Sequence, residues 1–288
     1  MVLAVEVPDA LDDAGRAAVR ELIGDVESRD GAPPLSDHAL LQLSEAGPTH
    51  VLAYAGDGLI GYAQLDAAVA ELAARDAAGE LLAAVEPRAP DGLLVWAHGK
   101  RSPVGPAAEA RGYTSERALW QLRRPATDLP DANLPDDVTI RSFLPGQDED
   151  AWLAVNAAAF AEHPEQGRWT RADIDARERE SWFDPAGFLL AERDATLIGF
   201  HWTKMHPGQI GEVYVLGVAP SAQGMRLGPA LLAAGLRYLA GRGARELMFY
   251  VEESSFGAMR LYERFGFRRH DVSRQYRRPD QARAVTSS

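Results

Sequence analysis

The sequence contains no cysteine among its 288 residues. Disulfides, thiolate metal sites and a cysteine nucleophile are therefore excluded, and a chain without disulfides is typical of the cytoplasm. Apolar runs are also short: none approaches the roughly 18 residues that a membrane-spanning helix needs. The first residues, MVLAVEVPDALDD, lack the basic start of a secretory signal peptide, so we expect a cytoplasmic protein.

Positive charge is scarce as well. The 30 Lys and Arg residues face 42 Asp and Glu residues, and the formal net charge is −12. This balance argues against a nucleic acid or an anionic membrane as the partner. The seven histidines are scattered without HxxxH or HExxH spacing, so the sequence predicts no metal site. Length and composition are those of a globular chain with two domains.

The chain repeats one order of elements. Each half has a hairpin with a Leu-Ile-Gly-aromatic second strand, a later apolar strand, and a final strand that ends in Arg-Arg-Pro. The matched segments are 50–65 with 188–204, 92–99 with 246–253, and 110–125 with 264–279. Three matches in the same order predict an internal duplication, with chance similarity of alternating strand sequences as the alternative.

This repeat predicts an α/β fold, of the mixed α+β kind, in two tandem domains. Each domain should have a twisted, mostly antiparallel sheet flanked by helices. We place the first domain at 1–125, a Pro- and Asp-rich linker at 126–137, the second domain at 138–280, and a disordered tail at 281–288. The offset between the copies grows from 138 residues at the hairpin to 154 at the late strand, so the second copy holds an insertion there.

The insertion carries the segment GEVYVLGVAPSAQGMRLGPALL, residues 211–232. Its β-branched and aromatic residues predict a buried strand, which Pro220 ends, and a helix follows the Gly-containing loop. Such a loop can bind phosphate, because free backbone N–H groups and the helix dipole face the anion, and Arg226 could add a full charge. Many loops of this kind bind nothing, so the residues alone leave both interpretations open.

Two motifs resemble the GNAT superfamily of acyl-CoA-dependent N-acetyltransferases. The loop QGMRLG matches the family signature Gln/Arg-x-x-Gly-x-Gly/Ala at Gln223 and Gly228, and A-x-x-x-Y-x-x-x-G-F follows from Ala258 through Tyr262 to Phe267. The resemblance implies that the strand before the loop splays from its neighbour, that its backbone pairs with pantetheine, and that the loop holds the CoA pyrophosphate. The first copy lacks the loop, so we expect a degenerate GNAT-like domain that serves as a scaffold and one wall of the acceptor cleft.

Longer strings resemble a tandem-domain branch of this superfamily. These strings are WAHG (96–99), FAEHPEQGRWT (160–170), ESWFDPAGFLLA (180–191), GFHWTKMHP (199–207) and GEVYVLGV (211–218). Members of that branch acetylate the cysteinyl amine of cysteinyl-glucosaminyl-inositol. The resemblance therefore implies acetyl-CoA as co-substrate, this small molecule as acceptor and no metal, and we expect a monomer.

The resemblance also assigns roles to single residues. Glu212 is the candidate general base and Tyr262 the candidate acid for the CoA thiolate; the alternatives are a solvated strand-edge glutamate and a packed core tyrosine. The CoA-binding candidates are Leu216, Gly217, Val218, Gln223, Gly224, Met225, Arg226, Leu227, Gly228, Pro229, Ser255 and Arg260. The acceptor-binding candidates are Asp37, Glu165, Lys204, Glu212 and Tyr250. For Lys204 and Glu165 the alternative is an ordinary surface charge.

Three of these positions depart from the family pattern. Arg226 replaces the first loop glycine, and a positive φ there would cost about 1–2 kcal/mol. We therefore expect a register shift that moves the positive φ to Gly224. Ser255 replaces an asparagine and is expected to cap the late helix. Asp37 stands where the family usually has glutamate.

Two other functions stay open on the sequence. One is a GNAT enzyme for another primary amine, such as a protein N-terminus, a polyamine or an antibiotic. The other is a catalytically inactive CoA-binding or scaffold protein. Two features favour it: the arginine in the loop, and the absence of the loop from the first copy. Turnover with different acceptors distinguishes these two functions from each other and from the first.

Overall fold

The computed structural model describes residues 3–45, 47–162 and 166–279. The candidate Glu165 and the predicted tail at 281–288 lie outside these ranges. The strands are β1 (Ala4–Glu6), β2 (Thr49–Ala55), β3 (Gly58–Asp66), β4 (Val69–Ala74), β5 (Leu94–Ala97), β6 (Thr114–Pro125), β7 (Thr139–Ser142), β8 (Phe188–Arg193), β9 (Thr196–His206), β10 (Ile210–Val218), β11 (Glu246–Glu252) and β12 (Arg268–Arg277). The helices are α1 (Asp13–Asp30), α2 (Asp37–Leu41), α3 (Ala78–Val85), α4 (Val104–Ala110), α5 (Glu149–Ala159), α6 (Arg171–Glu178), α7 (Leu227–Gly241) and α8 (Phe256–Arg264).

The described chain forms two compact units. The first unit runs through Trp120 and also takes the end of the chain from Asp271 onward, whereas the second runs from Gln121 to His270. Most of β12 therefore belongs to the first unit, and the end of β6 belongs to the second. The domain boundaries at residues 125 and 138 were inferred from the sequence repeat, and they stay a prediction.

The first unit has the strand order β1-β2-β3-β4-β5-β12. Its strands pair antiparallel except for β4 and β5, which are parallel. A parallel pair needs a crossover, and α3 supplies it between these two strands. β12 lies beside β5, with Arg274 opposite Ala97 and Arg277 opposite Leu94.

The second unit repeats this plan with the order β11-β10-β9-β8-β7. Here β10 and β11 are the parallel pair, α7 is the crossover, and the other pairs are antiparallel. The end of β6 is tied to β11, since Gln121 Nε2 donates to the Tyr250 hydroxyl at 2.7 Å and Arg123 Nη1 lies 2.7 Å from a Glu246 oxygen. The predicted fold class, two mixed α/β copies with mostly antiparallel sheets, is confirmed.

One face of the sheet in the second unit packs on an aromatic core. Trp152 of α5 is fully buried, and its ring centroid lies 5.3 Å from that of Phe200 and 5.6 Å from those of Phe188 and Trp202. Large aromatic side chains stabilise a core by burying much apolar area, and tilted or edge-on ring pairs add further stabilisation. This cluster fixes the position of β9, which carries the candidate Lys204.

The other face of β9 packs closely against α7. A Cβ added at Gly199 would come within 3.0 Å of Leu231, so the helix lies almost on the backbone of the strand. His201 is fully buried, its Nδ1 lies 2.8 Å from the carbonyl oxygen of Leu231, and its ring occupies the space in front of Gly235. Burial lowers the pKa of His201 to about 4, so the imidazole is neutral at neutral pH and Nδ1 donates to the carbonyl.

The segment that joins the repeats runs along α7. Arg237 of α7 donates to the carbonyl oxygens of Pro130 at 2.8 Å and Leu129 at 3.2 Å, and it pairs with Asp131. Ala126 N also donates to the carbonyl of Arg245 at 2.9 Å. The predicted linker thus belongs to the second unit, where it is bonded to α7 and to Arg245 before β11. In the ranges given above, no helix is long and apolar enough to cross a membrane.

Gly235→Ala tests the contact between β9 and α7. The new Cβ would lie 2.1 Å from two atoms of His201, so we expect the free energy of unfolding to fall by about 1–3 kcal/mol. Gly241→Ala in the same helix meets nothing within 4 Å and should instead be neutral or stabilise by up to about 1 kcal/mol. Urea denaturation of both variants measures the difference; equal stabilities would contradict the close packing.

Candidate active site

The candidate site begins where two parallel strands of the second unit separate. β10 pairs with β11 from Ile210 to Glu212, and the last pair is Glu212 with Met248. β10 nevertheless continues to Val218, and its pairing with β9 on the other side continues as well. Every second residue of a strand directs its N–H and C=O to the same side. Residues 213–218 therefore offer backbone groups on an edge that β11 does not cover.

A bulge accompanies this separation. The register between β10 and β9 shifts between Val213 and Val215, so Tyr214 is the additional residue. Bulges bend a strand and re-aim its side chains. Here the bulge lies two residues after Glu212, just beyond the last pair of β10 with β11.

The loop after β10 leads into the N-terminus of α7. A short 3₁₀ turn, Pro220–Ala222, leads into Gln223 and Gly224, and α7 begins at Leu227. No side chain caps the N-terminus of α7. The first N–H groups of a helix lack partners within the helix, and the helix dipole favours negative charge there. This end of α7 can therefore accept an anion.

The glycines of the loop leave room for such a ligand. A Cβ at Gly224 would meet nothing within 4 Å, and one at Gly228 would meet only Val218 Cγ2, at 3.8 Å, which is ordinary contact. The protein itself therefore does not require glycine at position 228. A phosphate can approach the backbone closely where a glycine at a helix N-terminus has open space in front of it. The residues present therefore fit a CoA pyrophosphate.

The backbone of Arg226 corrects one expectation. Gly224 has a positive φ of 84°, as expected, but Arg226 also lies in the left-handed region with φ 60° and ψ 20°. The predicted register shift that would spare Arg226 is therefore wrong. The arginine carries the cost of about 1–2 kcal/mol that its side chain imposes there. Its side chain is exposed beside the helix N-terminus.

The other CoA-binding candidates of β10 and α7 lie along this path. Leu216 and Val218 are partly buried against the core that includes Leu227. Gly217 must be small, since a Cβ there would lie 2.7 Å from Phe200. Three further residues are distributed around the loop: Gln223 and Pro229 are exposed, and Met225 Sδ lies 3.2 Å from Arg193 Nη1.

Glu212 is buried in the middle of the sheet, with β9 on one side and β11 on the other. The alternative of a solvated edge glutamate is therefore wrong. One carboxylate oxygen, Oε2, lies 2.5 Å from Nε2 of His206. Among the described residues this is its one hydrogen bond, so the other oxygen is available to a ligand.

Lys204 is the cross-strand neighbour of Glu212 and is also buried. Its ammonium lies 4.5 Å from the ring centroid of Trp182 and 5.3 Å from that of Tyr214. The alternative of an ordinary surface charge is wrong for this lysine. The same aromatic group holds a second buried cation, Arg177, which stacks on Trp169 at 3.8 Å. Its Nε donates to the Tyr214 hydroxyl at 2.9 Å.

Tyr262 of α8 borders the separation from the side of β11. Its ring centroid lies 3.6 Å from that of Phe249, the residue after Met248. The tyrosine is packed, as the alternative held, yet its hydroxyl has no hydrogen-bond partner among the described residues. Burial raises the pKa of Tyr262 to about 12, so the phenol is protonated at neutral pH.

The remaining candidates are more dispersed. Tyr250 lies in β11 and accepts from Gln121, whereas Arg260 is exposed on α8. Ser255 precedes α8 but makes no side-chain cap, so the expectation that it caps this helix is wrong. Asp37 is the first residue of α2 in the first unit.

The first unit contains a related carboxylate. Glu71 is the last residue of β4 that pairs with the parallel strand β5, opposite Trp96. Its oxygens accept from Ser36 N at 2.6 Å, Ser36 Oγ at 2.7 Å and His98 Nε2 at 2.9 Å. Burial alone would raise the pKa of Glu71, but His98 and the bonds from Ser36 outweigh it and lower the pKa. With three donors, this glutamate is held as an anion and is not free to act as a base.

Sequence reasoning missed His206, Trp182, Tyr214 and Arg177. His206 and Lys204 are two residues apart on one strand, which puts them on one face, and a tight hairpin brings Glu212 back beside them. That spacing was readable in the sequence. In the described ranges, no group of three or more His, Cys, Asp or Glu side chains could hold a metal ion.

Glu178 and Glu149 form a carboxyl pair in the second unit. Glu178 ends α6, and its Oε1 is buried without a hydrogen-bond partner. Burial raises the pKa of Glu178 to about 7, and the negative charges of Glu149 and Asp175 add to this, while Arg171 opposes it. Glu149, the first residue of α5, is itself buried.

Comparisons with known proteins agree with this geometry. The model of the acetyltransferase (GNAT) family matches residues 152–267, which confirms the resemblance inferred from the loop and the late helix. GNAT acetyltransferases in general use acetyl-CoA. A GCN5-related N-acetyltransferase from Sphaerobacter thermophilus superposes with a TM-score of 0.66 at 25% identity, covering 96% of this chain and 95% of that one. A tandem GNAT protein from the clavulanic acid biosynthesis pathway has a TM-score of 0.70 at 16% identity, covers 96% and 98%, and shows the fold alone.

Curated relatives are similar over almost the whole chain. A mycothiol acetyltransferase from Thermomonospora curvata is 49% identical, covering 94% of this chain and 96% of the relative. A mycothiol acetyltransferase from Thermobispora bispora is 47% identical, covering 91% and 99%. One from Streptomyces coelicolor is 46% identical, covering 90% of each chain.

Glu178→Gln tests the carboxyl pair. The folded state holds the Glu178 proton more tightly than the unfolded chain, whose ordinary pKa is 4.5, so wild-type stability should fall as pH rises from about 4.5 to about 7. The variant cannot ionise and should be more stable than wild type at pH 8, with the advantage lost at pH 4. Urea denaturation at both pH values measures this. Glu45→Gln, at an exposed position, is the control; an advantage of Glu178→Gln that does not depend on pH would contradict the interpretation.

Proposed function

Because this chain belongs to the mycothiol acetyltransferase family of GNAT proteins, we propose that it transfers acetyl from acetyl-CoA to the cysteinyl amine of cysteinyl-glucosaminyl-inositol in mycothiol biosynthesis. The observation that carries this proposal is the position of Glu212. A buried carboxylate with one available oxygen lies where β10 leaves β11, and the same strand leads to the uncapped N-terminus of α7.

Acetyl-CoA fits along β10 and α7. The uncovered edge of residues 213–218 suits the amide groups of pantetheine, which extend a sheet by backbone pairing. The backbone of Gly224–Gly228 and the exposed Arg226 suit the pyrophosphate. Leu227 contributes its N–H there while its side chain stays in the core. A backbone N–H in Leu216–Val218 is placed to stabilise the carbonyl oxygen of the thioester as charge develops on it.

Glu212 acts as the general base. The acceptor amine has a pKa of about 7.7–8.0 if it resembles an α-amino group, so it is mostly an ammonium at neutral pH. The available oxygen of Glu212 takes its proton, directly or through water, and the free amine can then attack the thioester carbon. The C–N bond forms and the C–S bond breaks, and CoA leaves as a thiolate, which takes up the second proton that the nitrogen loses on becoming an amide.

Tyr262 stabilises that thiolate by donating a hydrogen bond. A phenol with a pKa of about 12 keeps its proton at neutral pH, whereas an ordinary thiol has a pKa of roughly 8.5. Full transfer of the proton to sulfur is therefore uphill, and a strong hydrogen bond is the favoured role. An unpartnered hydroxyl beside the separated strands is suited to it.

Acceptor recognition is assigned to the polar groups around Glu212. The buried Lys204, with Trp182 and Tyr214 beneath it, offers a donor and flat apolar surfaces for a polyhydroxylated ring. Tyr250 and Glu165 complete the proposed set, and Glu165 lies outside the described residues; Asp37, in the first unit, stays a prediction from the resemblance. A monomeric state and a cytoplasmic location belong to the proposal as well.

The test of this function is CoA thiol release with three acceptors: cysteinyl-glucosaminyl-inositol, free cysteine and a polyamine. We expect turnover confined to the first. Turnover with the polyamine instead would mean a GNAT enzyme for another amine. No turnover with any acceptor by folded protein would favour an inactive module, for which the strained Arg226 is the supporting observation.

Glu212→Gln should lower kcat by about 10²–10⁴-fold, because an amide of the same shape cannot take the proton. The KM for acetyl-CoA should change little, since Glu212 precedes the proposed CoA edge of β10. Steady-state kinetics against both substrates measures this. A kcat equal to that of wild type would exclude Glu212 as the base.

Gly228→Ala should weaken CoA binding without changing the stability of the fold. The new Cβ meets only ordinary contact in the protein, so stability should stay within about 0.5 kcal/mol of wild type. A phosphate held against the backbone would meet the methyl group, so the KM for acetyl-CoA should rise at least about tenfold, or 1.4 kcal/mol. Gly241→Ala, at the other end of α7, is the matched control and should leave the KM unchanged. A normal KM in Gly228→Ala would place the pyrophosphate elsewhere.

A further inference from the structure

The bond between Glu212 and His206 is the starting point. Nε2 of His206 lies 2.5 Å from Oε2 of Glu212, so the two side chains are joined by a hydrogen bond. A carboxylate oxygen can only accept, so Nε2 carries the proton and donates. The Glu212 side chain is 8% exposed and that of His206 is 25% exposed, so the imidazole is the more exposed partner of the pair.

The backbone holds His206 firmly in this place. His206 is the last residue of β9, and it pairs with Ile210 across the hairpin. Pro207 follows, and a residue before proline is confined to extended conformations. The turn is closed by Gly208 and Gln209, both with positive φ. The short hairpin therefore fixes the distance between the imidazole and Glu212, two residues beyond Ile210.

Glu212 depends on this contact more than the comparable glutamate of the first unit does. Glu71 has three donors, so the loss of one would leave its carboxylate anchored. Glu212 has His206 alone among the described residues, and the cation beside it, Lys204, lies over the rings of Trp182 and Tyr214. A carboxylate with one free oxygen and no second anchor could rotate about its side-chain torsions once the histidine is removed.

We infer that His206 is a positioning residue for the acetyl transfer: by holding Oε2 of Glu212, it directs the second oxygen at the acceptor amine. This inference rests on the proposed function, because it gives Glu212 the role of base. When Glu212 accepts the ammonium proton on its free oxygen, His206 keeps its own proton on Nε2 and holds the resulting acid in the same orientation. A base that is misplaced by about 1 Å can lose on the order of 10²-fold in rate.

The experiment compares His206→Ala and His206→Gln in the full-length chain, each alone and combined with Glu212→Gln. The glutamine amide can place an N–H donor near the position of Nε2, whereas alanine has no donor. We expect His206→Ala to lower kcat by about 10–100-fold with the KM for acetyl-CoA unchanged, and His206→Gln to recover most of this loss. Circular dichroism and urea denaturation show whether each variant folds as wild type does.

The double variants distinguish positioning from a structural effect. If His206 acts through Glu212, then adding His206→Ala to Glu212→Gln should lower kcat by less than about threefold further. Three results would each overturn the inference. The kcat losses of the two single variants could multiply in the double variant, His206→Gln could be as slow as His206→Ala, or His206→Ala could have the kcat of wild type. Wild-type protein that acetylates no acceptor would instead overturn the proposed function, and the role of His206 with it.

Discussion

The site depends on the point at which β10 stops pairing with β11. Up to Glu212 and Met248 the two strands are joined, and the sheet holds the glutamate between two neighbours. Beyond that pair β10 carries the bulge at Tyr214, and in the described residues β11 no longer pairs with its backbone up to Val218. One interruption of the sheet thus aligns a buried carboxylate, an open backbone edge and an anion-binding helix end along a single strand. Electrostatic catalysis needs such groups held in place before the reaction begins.

The two units show how a small difference decides whether this arrangement is reactive. In each unit a glutamate occupies the last pair of the parallel strands, and in each a histidine Nε2 contacts it. Two further bonds from Ser36 saturate Glu71, so its charge stabilises the start of α2. Glu212 lacks such bonds in the described structure and retains capacity for a ligand. The number of donors around the carboxylate, more than its position in the sheet, separates a structural glutamate from a candidate base.

Close packing of α7 on β9 holds the loop in place. The glycines at 199 and 235 allow the helix to approach the strand, and the neutral ring of His201 fills the space between them. This contact is made without any ionised group, so it does not depend on pH until the pKa of about 4 is approached. The strained Arg226 at the start of α7 persists because the packed helix on one side and the strand on the other fix the loop between them.

The sequence by itself determined the α/β class, the duplication, and the motif residues from Gln223 to Gly228 and around Tyr262, because periodicity, turn residues and motif spacing are local properties. The tertiary structure decided the rest. The pairing of β12 with β5 is a choice between two similar strands, β6 and β12, that a repeat cannot make. The positive φ of Arg226 follows from the fixed ends of its loop, against the preference of the residue. The contact of His206 with Glu212, the saturation of Glu71 and the burial of Lys204 all join residues that share a surface only after the hairpins and sheets have formed.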